Sequence, residues 1–173
     1  YNPSQYFNSQ NLQEDKKDIT LKIKLRKLAP LVGKVVDAQG KPVAGIVIYI
    51  DNRLPQVTTG SDGTFAFKKA PTDRAGMVLA MGPTLGGKAD YQAGQTEVTI
   101  TALPRQPRVC YADNGEGAPA ANLSFTYAPA VGGADNIAFY SLNGSAVTDA
   151  QGKCTLSLVP QVPYLFSWAG END

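Results

Sequence analysis

Apolar and polar side chains alternate at a period of two along much of this 173-residue chain, in short bursts separated by turn residues. Such alternation puts every second side chain on one face of an extended backbone, which marks a half-buried strand. The clearest burst lies at 20–28, where Leu21, Ile23 and Leu25 alternate with Lys22, Lys24 and Arg26. A helix would scatter those cations around its circumference. Residues 31–36 are apolar and β-branched, and 37–42 (DAQGKP) read as a turn. Residues 45–50 are almost continuously apolar, 51–55 turn the chain, and 56–59 are short and polar, like an edge strand. Ser61-Asp62-Gly63 is a tight turn, and the next four residues place Phe65 and Phe67 on one face. Strands at 77–81 and 96–102 complete the set. No segment keeps a period of 3.6 over three turns.

Residues 103–107 (LPRQP) hold two prolines, which favour an extended connector. The pattern then restarts. A strand is expected at 108–112, a turn at 113–119, and an alternating strand at 122–127 carrying Leu123, Phe125 and Tyr127 on one face. A strand at 137–141 precedes Asn143-Gly144, a pair that predicts a tight hairpin. A turn at 148–152 leads into 153–158, and 163–169 place Tyr164, Phe166 and Trp168 on one face, as a sandwich core demands. The halves overlay: Asp37 falls on Asp113, Gly40-Lys41-Pro42 on Gly117-Ala118-Pro119 with the second turn one residue longer, and Thr59 on Thr148. The repeat period lies in the seventies.

The chain is therefore expected to be all-β, with two tandem small antiparallel Ig-like β-sandwich domains. Domain 1 spans 20–102, a linker spans 103–107, and domain 2 spans 108–173. Residues 1–19, polar and rich in Asn and Gln, form an irregular lead-in or the tail of a preceding module. Each unit is near the size at which a core alone is marginal.

Composition narrows the chemistry. The chain is 43% hydrophobic and 18% charged, which fits a globular fold, and its 17 Gly and 12 Pro suit many short strands. A net charge of +1 argues against nucleic acid as a partner. No apolar run is long enough for a membrane helix, and membrane insertion is not expected. The chain has no His, which excludes His-based triads and His-ligated metal within it. No cofactor and no metal site are expected. The chain begins at Tyr1 rather than Met, as a processed product or a cut fragment would.

The string GKVVDAQGKPVAGIVIYI, followed by TTGSDGTFAF, resembles the carboxypeptidase regulatory-like domain, a transthyretin-like β-sandwich. The matching positions are Gly33, Val35, Asp37, Gly40, Pro42, Val43, Gly45, Thr59, Asp62, Gly63, Phe65 and Phe67. Asp62 and Gly63 stand one residue closer than is usual there. The match covers 31–102, best before residue 68, with a diverged copy over 108–170 in which Cys154 and Leu156 replace the two Phe. The resemblance implies a non-catalytic module, often strung in tandem in secreted and surface proteins of bacteria. It also makes 20–28 look like the last strand of a preceding copy or an added strand of this one.

Few residues suggest chemistry. Cys110 and Cys154 fall on two strands of the second unit, and a disulfide between them is favoured over a reactive thiol or two buried free thiols. Asp113, Asn114 and Glu116 make an acidic turn that falls short of a calcium loop. The cations of 20–28 read as a solvated strand face rather than an anion-binding patch. Tyr127, Tyr140 and Trp168 are candidates for a sugar-stacking platform. The expected function is a spacer, stalk or assembly module, outside the cell, on its surface or in the periplasm. Its partners would be proteins or neighbouring copies that bind through strand edges. A polysaccharide-binding accessory module and a regulatory domain attached to a peptidase are the alternatives.

Overall fold

The computed structural model describes residues 28–50, 56–131, 137–138 and 142–168. Among them there is no α-helix, and the chain is all-β, built as tandem sandwich units. The strand expected at 20–28 and the lead-in at 1–19 lie outside the described residues, except for Leu28.

The first unit contains β1 (Ala29–Val36), β2 (Val47–Tyr49), β3 (Val57–Thr58), β4 (Thr64–Ala70), β5 (Gly76–Met81), β6 (Leu85–Tyr91), β7 (Glu97–Thr101) and β8 (Leu103–Pro104). One sheet runs β4-β1-β7 and the other β3-β2-β5-β6-β8. Alternation decides the faces. Leu31, Val35, Phe65, Phe67, Val98 and Ile100 point inward from the first sheet, and Ile48, Val78, Ala80 and Tyr91 meet them from the second. All pairings are antiparallel except one: β1 and β7, the first and last strands of the core, run parallel, with Val32 opposite Glu97 through Val36 opposite Thr101. This pair is the exception in a fold that is otherwise antiparallel, as expected, among the described residues. The closing strand reaches β1 from the far end of the unit rather than through a hairpin.

The second unit contains β9 (Gln106–Tyr111), β10 (Ser124–Val131), β11 (Ile137–Ala138), β12 (Gly144–Val147), β13 (Lys153–Leu158) and β14 (Tyr164–Trp168). Here β9 pairs with β13 as β1 pairs with β4, while β10 pairs with β12 and β14 as β2 pairs with β3 and β5. The hydrogen bonds repeat residue by residue. Val43 N–H donates to Val35 O, and Ala120 N–H to Ala112 O. Asp37 Oδ1 accepts from Gln39 and Lys41, and Asn114 Oδ1 from Glu116 and Ala118. The true partner of Asp37 is therefore Asn114 and not Asp113. The shift is 77 positions, and the two turns are equal in length. A carboxylate and an amide oxygen both accept the turn's N–H groups, so the pattern of Asp residues alone misleads by one.

One buried hydroxyl holds each unit's first strand connection. Thr59 Oγ1 accepts from Ile46 N–H at 2.9 Å and donates to Val43 O at 2.8 Å. Thr148 Oγ1 accepts from Leu123 N–H and donates to Ala120 O. The residue before each donating N–H takes a left-handed conformation, Gly45 at φ 71° and Asn122 at φ 58°. A short polar side chain is the usual substitute for glycine there.

Two further expectations change. Asn143-Gly144 is not a hairpin: β11 and β12 both pair with β10, and the six steps from Ala138 to Gly144 lie opposite the three from Ala130 to Tyr127. Residues 103–107, expected as a connector, are held at both ends. Leu103 and Pro104 pair with β6, Arg105 N–H donates to Thr84 O, and Gln106 begins β9.

The two units are in contact. Met77, Leu79 and Met81 on the outer face of β5 pack against Val159 and Val162. Arg105 donates from Nε to Gly82 O and from a terminal nitrogen to Ser157 O, both at 3.1 Å. Burial of β5 on both faces accounts for its unbroken apolar run.

Replacing Thr59 or Thr148 with Val keeps the shape and strands a buried N–H and C=O. Each change should cost about 1–3 kcal/mol, read as an earlier urea midpoint with an unchanged slope.

Candidate functional site

The site is a gap between the two sheets of the second unit. In the first unit β1 has strands on both sides. Val35 N–H donates to Gly63 O on the β4 side, while Val32 N–H donates to Thr96 O and Val36 O accepts from Ala102 N–H on the β7 side. Antiparallel hydrogen bonding alternates along a strand. Ala112 N–H donates to Gly152 O, so the pairs at Cys110/Cys154 and Arg108/Leu156 also bond across to β13. The main-chain groups of Val109, Tyr111 and Asp113 then point the other way. No strand among the described residues lies along that edge of β9, and none is the counterpart of β6 beside β14.

The apolar consequence is plain at β14. Its inward residues Phe166 and Trp168 stand where Val78 and Ala80 stand in the first unit. Val78 and Ala80 are 0% exposed, whereas Phe166 is 44% and Trp168 63% exposed. The expectation that Tyr164, Phe166 and Trp168 form a covered core is corrected: they share the inward face, but Phe166 and Trp168 are not covered. They line, with Cys110, Ala112, Phe125 and Cys154, a groove of about 1570 Å³. Tyr127 lies on the same face, its ring centroid 6.2 Å from those of Tyr164 and Phe166. Tyr140 lies outside the described residues. Thus Tyr127 and Trp168 share a sheet face, and only Trp168 lines the groove.

Cys110 and Cys154 are directly opposite on β9 and β13, and both are free thiols. In the first unit the same two positions hold Gly33 and Phe65, with the ring lying over the glycine. Two medium side chains replace a large and a small one. Burial pushes the Cys110 thiol above its ordinary value, and the adjacent Cys154 adds to the shift. At the rim, Asp113 Oδ1 accepts from Gly115 N–H and Asn114 closes its own turn. These oxygens serve the backbone, and no group of three or more His, Cys, Asp or Glu among the described residues could hold a metal. No helix among them is long and apolar enough to cross a membrane.

No protein-family model matches the chain, and no curated protein matches it. The carboxypeptidase regulatory-like resemblance thus rests on its motif alone. Solved structures with some likeness include the Bacillus anthracis TIE protein, with 16% identity, TM-score 0.31 and 84% of this chain covered. This chain spans only 29% of that protein's length. The shaft pilin spaA of Lactobacillus rhamnosus GG has 12% identity and a TM-score of 0.32, covering 84% of this chain and 89% of that one. A DUF3823 family protein from Bacteroides ovatus has 17% identity and a TM-score of 0.34, covering 83% and 82%. Likenesses this distant assign no function to this chain.

A raised thiol pKa leaves less thiolate at neutral pH. In the reduced protein, iodoacetamide should label Cys110 more slowly than a free cysteine peptide at pH 7. The rate should keep climbing past the ordinary thiol value of 9.0, where that of the peptide levels off. By the same sign, the folded state favours the neutral thiol. That stabilisation is present below pH 9 and is lost as pH rises through the raised value. Labelling at the peptide's rate would show that burial does not act on this sulfur.

Proposed function

We propose that this chain is a non-catalytic structural module of a surface or secreted protein, and that it works by strand addition at the open edge of β9. The observation that carries the reading is the uncovered edge over an apolar groove. Unpaired main-chain groups offer affinity, and alternating side-chain sites offer selectivity. Phe166 and Trp168 supply apolar surface for the incoming strand to bury, and such a patch on a small unit marks an interaction site. Two transthyretin-like units of the carboxypeptidase regulatory type, meeting at 103–107, would place that edge at the end of a short rod braced by Arg105 and the Met77–Val159 contact.

A disulfide between Cys110 and Cys154 belongs to the same reading. Directly opposed positions that exchange hydrogen bonds stand about 5.5 Å apart at Cα, within the range a disulfide spans. Closing that loop would contribute ~4 kcal/mol by chain entropy, and an extracellular location would supply the oxidant. Mild oxidation should take the titratable thiols from two to none and raise the melting temperature. Two thiols that persist would remove the proposal.

Carbohydrate binding is the second reading, and the exposure of Trp168 favours it. It separates from the first by which ligand shifts the emission of this single Trp, a strand peptide or a polysaccharide.

Val109→Pro tests the edge. The substitution deletes an N–H aimed at the open side and spares the ladder to β13, and Pro is tolerated on strand edges. The variant should keep its β-sheet circular dichroism and lose association through this edge by tenfold or more. Association at the wild-type level would overturn the reading.

A further inference from the structure

The strand that fills this groove is written in the chain itself. The shift of 77 positions that superposes the turns of the two units also carries Val98, Ile100 and Ala102 onto Leu21, Ile23 and Leu25. In β7, Val98 and Ile100 are buried, and Glu97, Thr99 and Thr101 are exposed. At the shifted positions stand Leu, Ile and Leu in place of the buried residues, and Thr20, Lys22 and Lys24 in place of the exposed ones. Pro107 likewise falls on Pro30. By pattern and by spacing, residues 20–25 stand before the first unit as β7 stands before the second.

We propose that residues 20–25 of one copy add as a strand, parallel to β9, to the second unit of another copy. This rests on the strand-addition reading above and names its partner. The register follows from the pairing of β1 with β7. Transferred by 77 positions, it sets Leu21 beside Cys110, Ile23 beside Ala112 and Lys24 beside Asp113. The apolar residues enter the groove over Phe166 and Trp168. Lys24 meets the carboxylate at its rim, and Lys22 falls beside Tyr111, which is 76% exposed. Leu at 21 and 25 is bulkier than Val98 and Ala102, as suits a groove that also lacks a counterpart of β6 among the described residues.

The contact is head-to-tail. The donor segment and the acceptor edge are different surfaces, so one copy can give its strand to a second while taking one from a third, and the assembly can grow past the dimer. Only 26–28 separate the donor strand from β1, much as 102–105 separate β7 from β9. The connection between copies then has the length of the connection within one.

Sedimentation of the full chain tests this. The average mass should grow with concentration beyond the dimer, and Ile23→Asp should hold it at monomer while the β-sheet circular dichroism stays that of the wild type. A synthetic peptide of residues 18–28 should then bind the Ile23→Asp chain and shift Trp168 emission to the blue, and it should do so tenfold or more weakly in a chain that also carries Val109→Pro. A wild-type chain that stays monomeric, an Ile23→Asp chain that still assembles, or a peptide that does not bind would each overturn the proposal. Assembly abolished by Val109→Pro but untouched by Ile23→Asp would leave the edge reading standing and assign the groove to another strand, from a different protein or beyond residue 173.

Discussion

The first strand of the first unit lies in the interior of its sheet, whereas its counterpart β9 has one neighbour among the described residues, and this difference governs the rest of the molecule. An interior strand needs hydrogen-bond partners on both sides. For β1 the near side is served by β4, and the far side by β7, more than sixty residues along the chain. The parallel pair thus joins the segments of the unit that stand farthest apart in the chain. Until it forms, one edge of β1 and the space beneath it stay open. Closing a longer loop costs more entropy, so chain length favours the pairing of β1 with β4 before its pairing with β7.

The second unit shows that intermediate condition among its described residues. Its turns, its buried threonine and its left-handed positions match those of the first unit bond for bond. The difference is not in the quality of the sandwich but in the strands present to cover it. Phe166 and Trp168 are inward by register and exposed by circumstance.

Sequence patterning reached the faces of strands well and their coverage not at all. β4, β7 and β13 are legible because Phe65/Phe67, Val98/Ile100 and Cys154/Leu156 alternate cleanly with polar neighbours. β6 was missed because Gly86 and Gly87 break its pattern. Those glycines are needed where Val159 and the backbone of Thr101 press against the strand. β12 was missed because Gly144 reads as a turn, yet it is a glycine beneath the Tyr127 ring. The same cross-strand pairing of glycine with an aromatic ring recurs at Gly33 with Phe65 and at Gly76 with Tyr91. An aromatic laid over a glycine shields its backbone and pins the register, so a glycine in this chain can sit inside a strand as well as end one. The groove was illegible for a simpler reason: alternation shows which side chains turn inward, whereas the absence of a neighbouring strand leaves no trace in the residues that lack it.

The parallel pairing of β1 with β7 has a mechanical consequence. Tension along the chain enters the first unit at Ala29 and leaves beyond Thr101. These lie at opposite ends of two adjacent strands that point the same way. The load therefore falls as shear on all five residue pairs at once, instead of peeling them one after another. A unit closed in this way yields abruptly and at high force, and it is strongest along the axis on which a tether would be pulled.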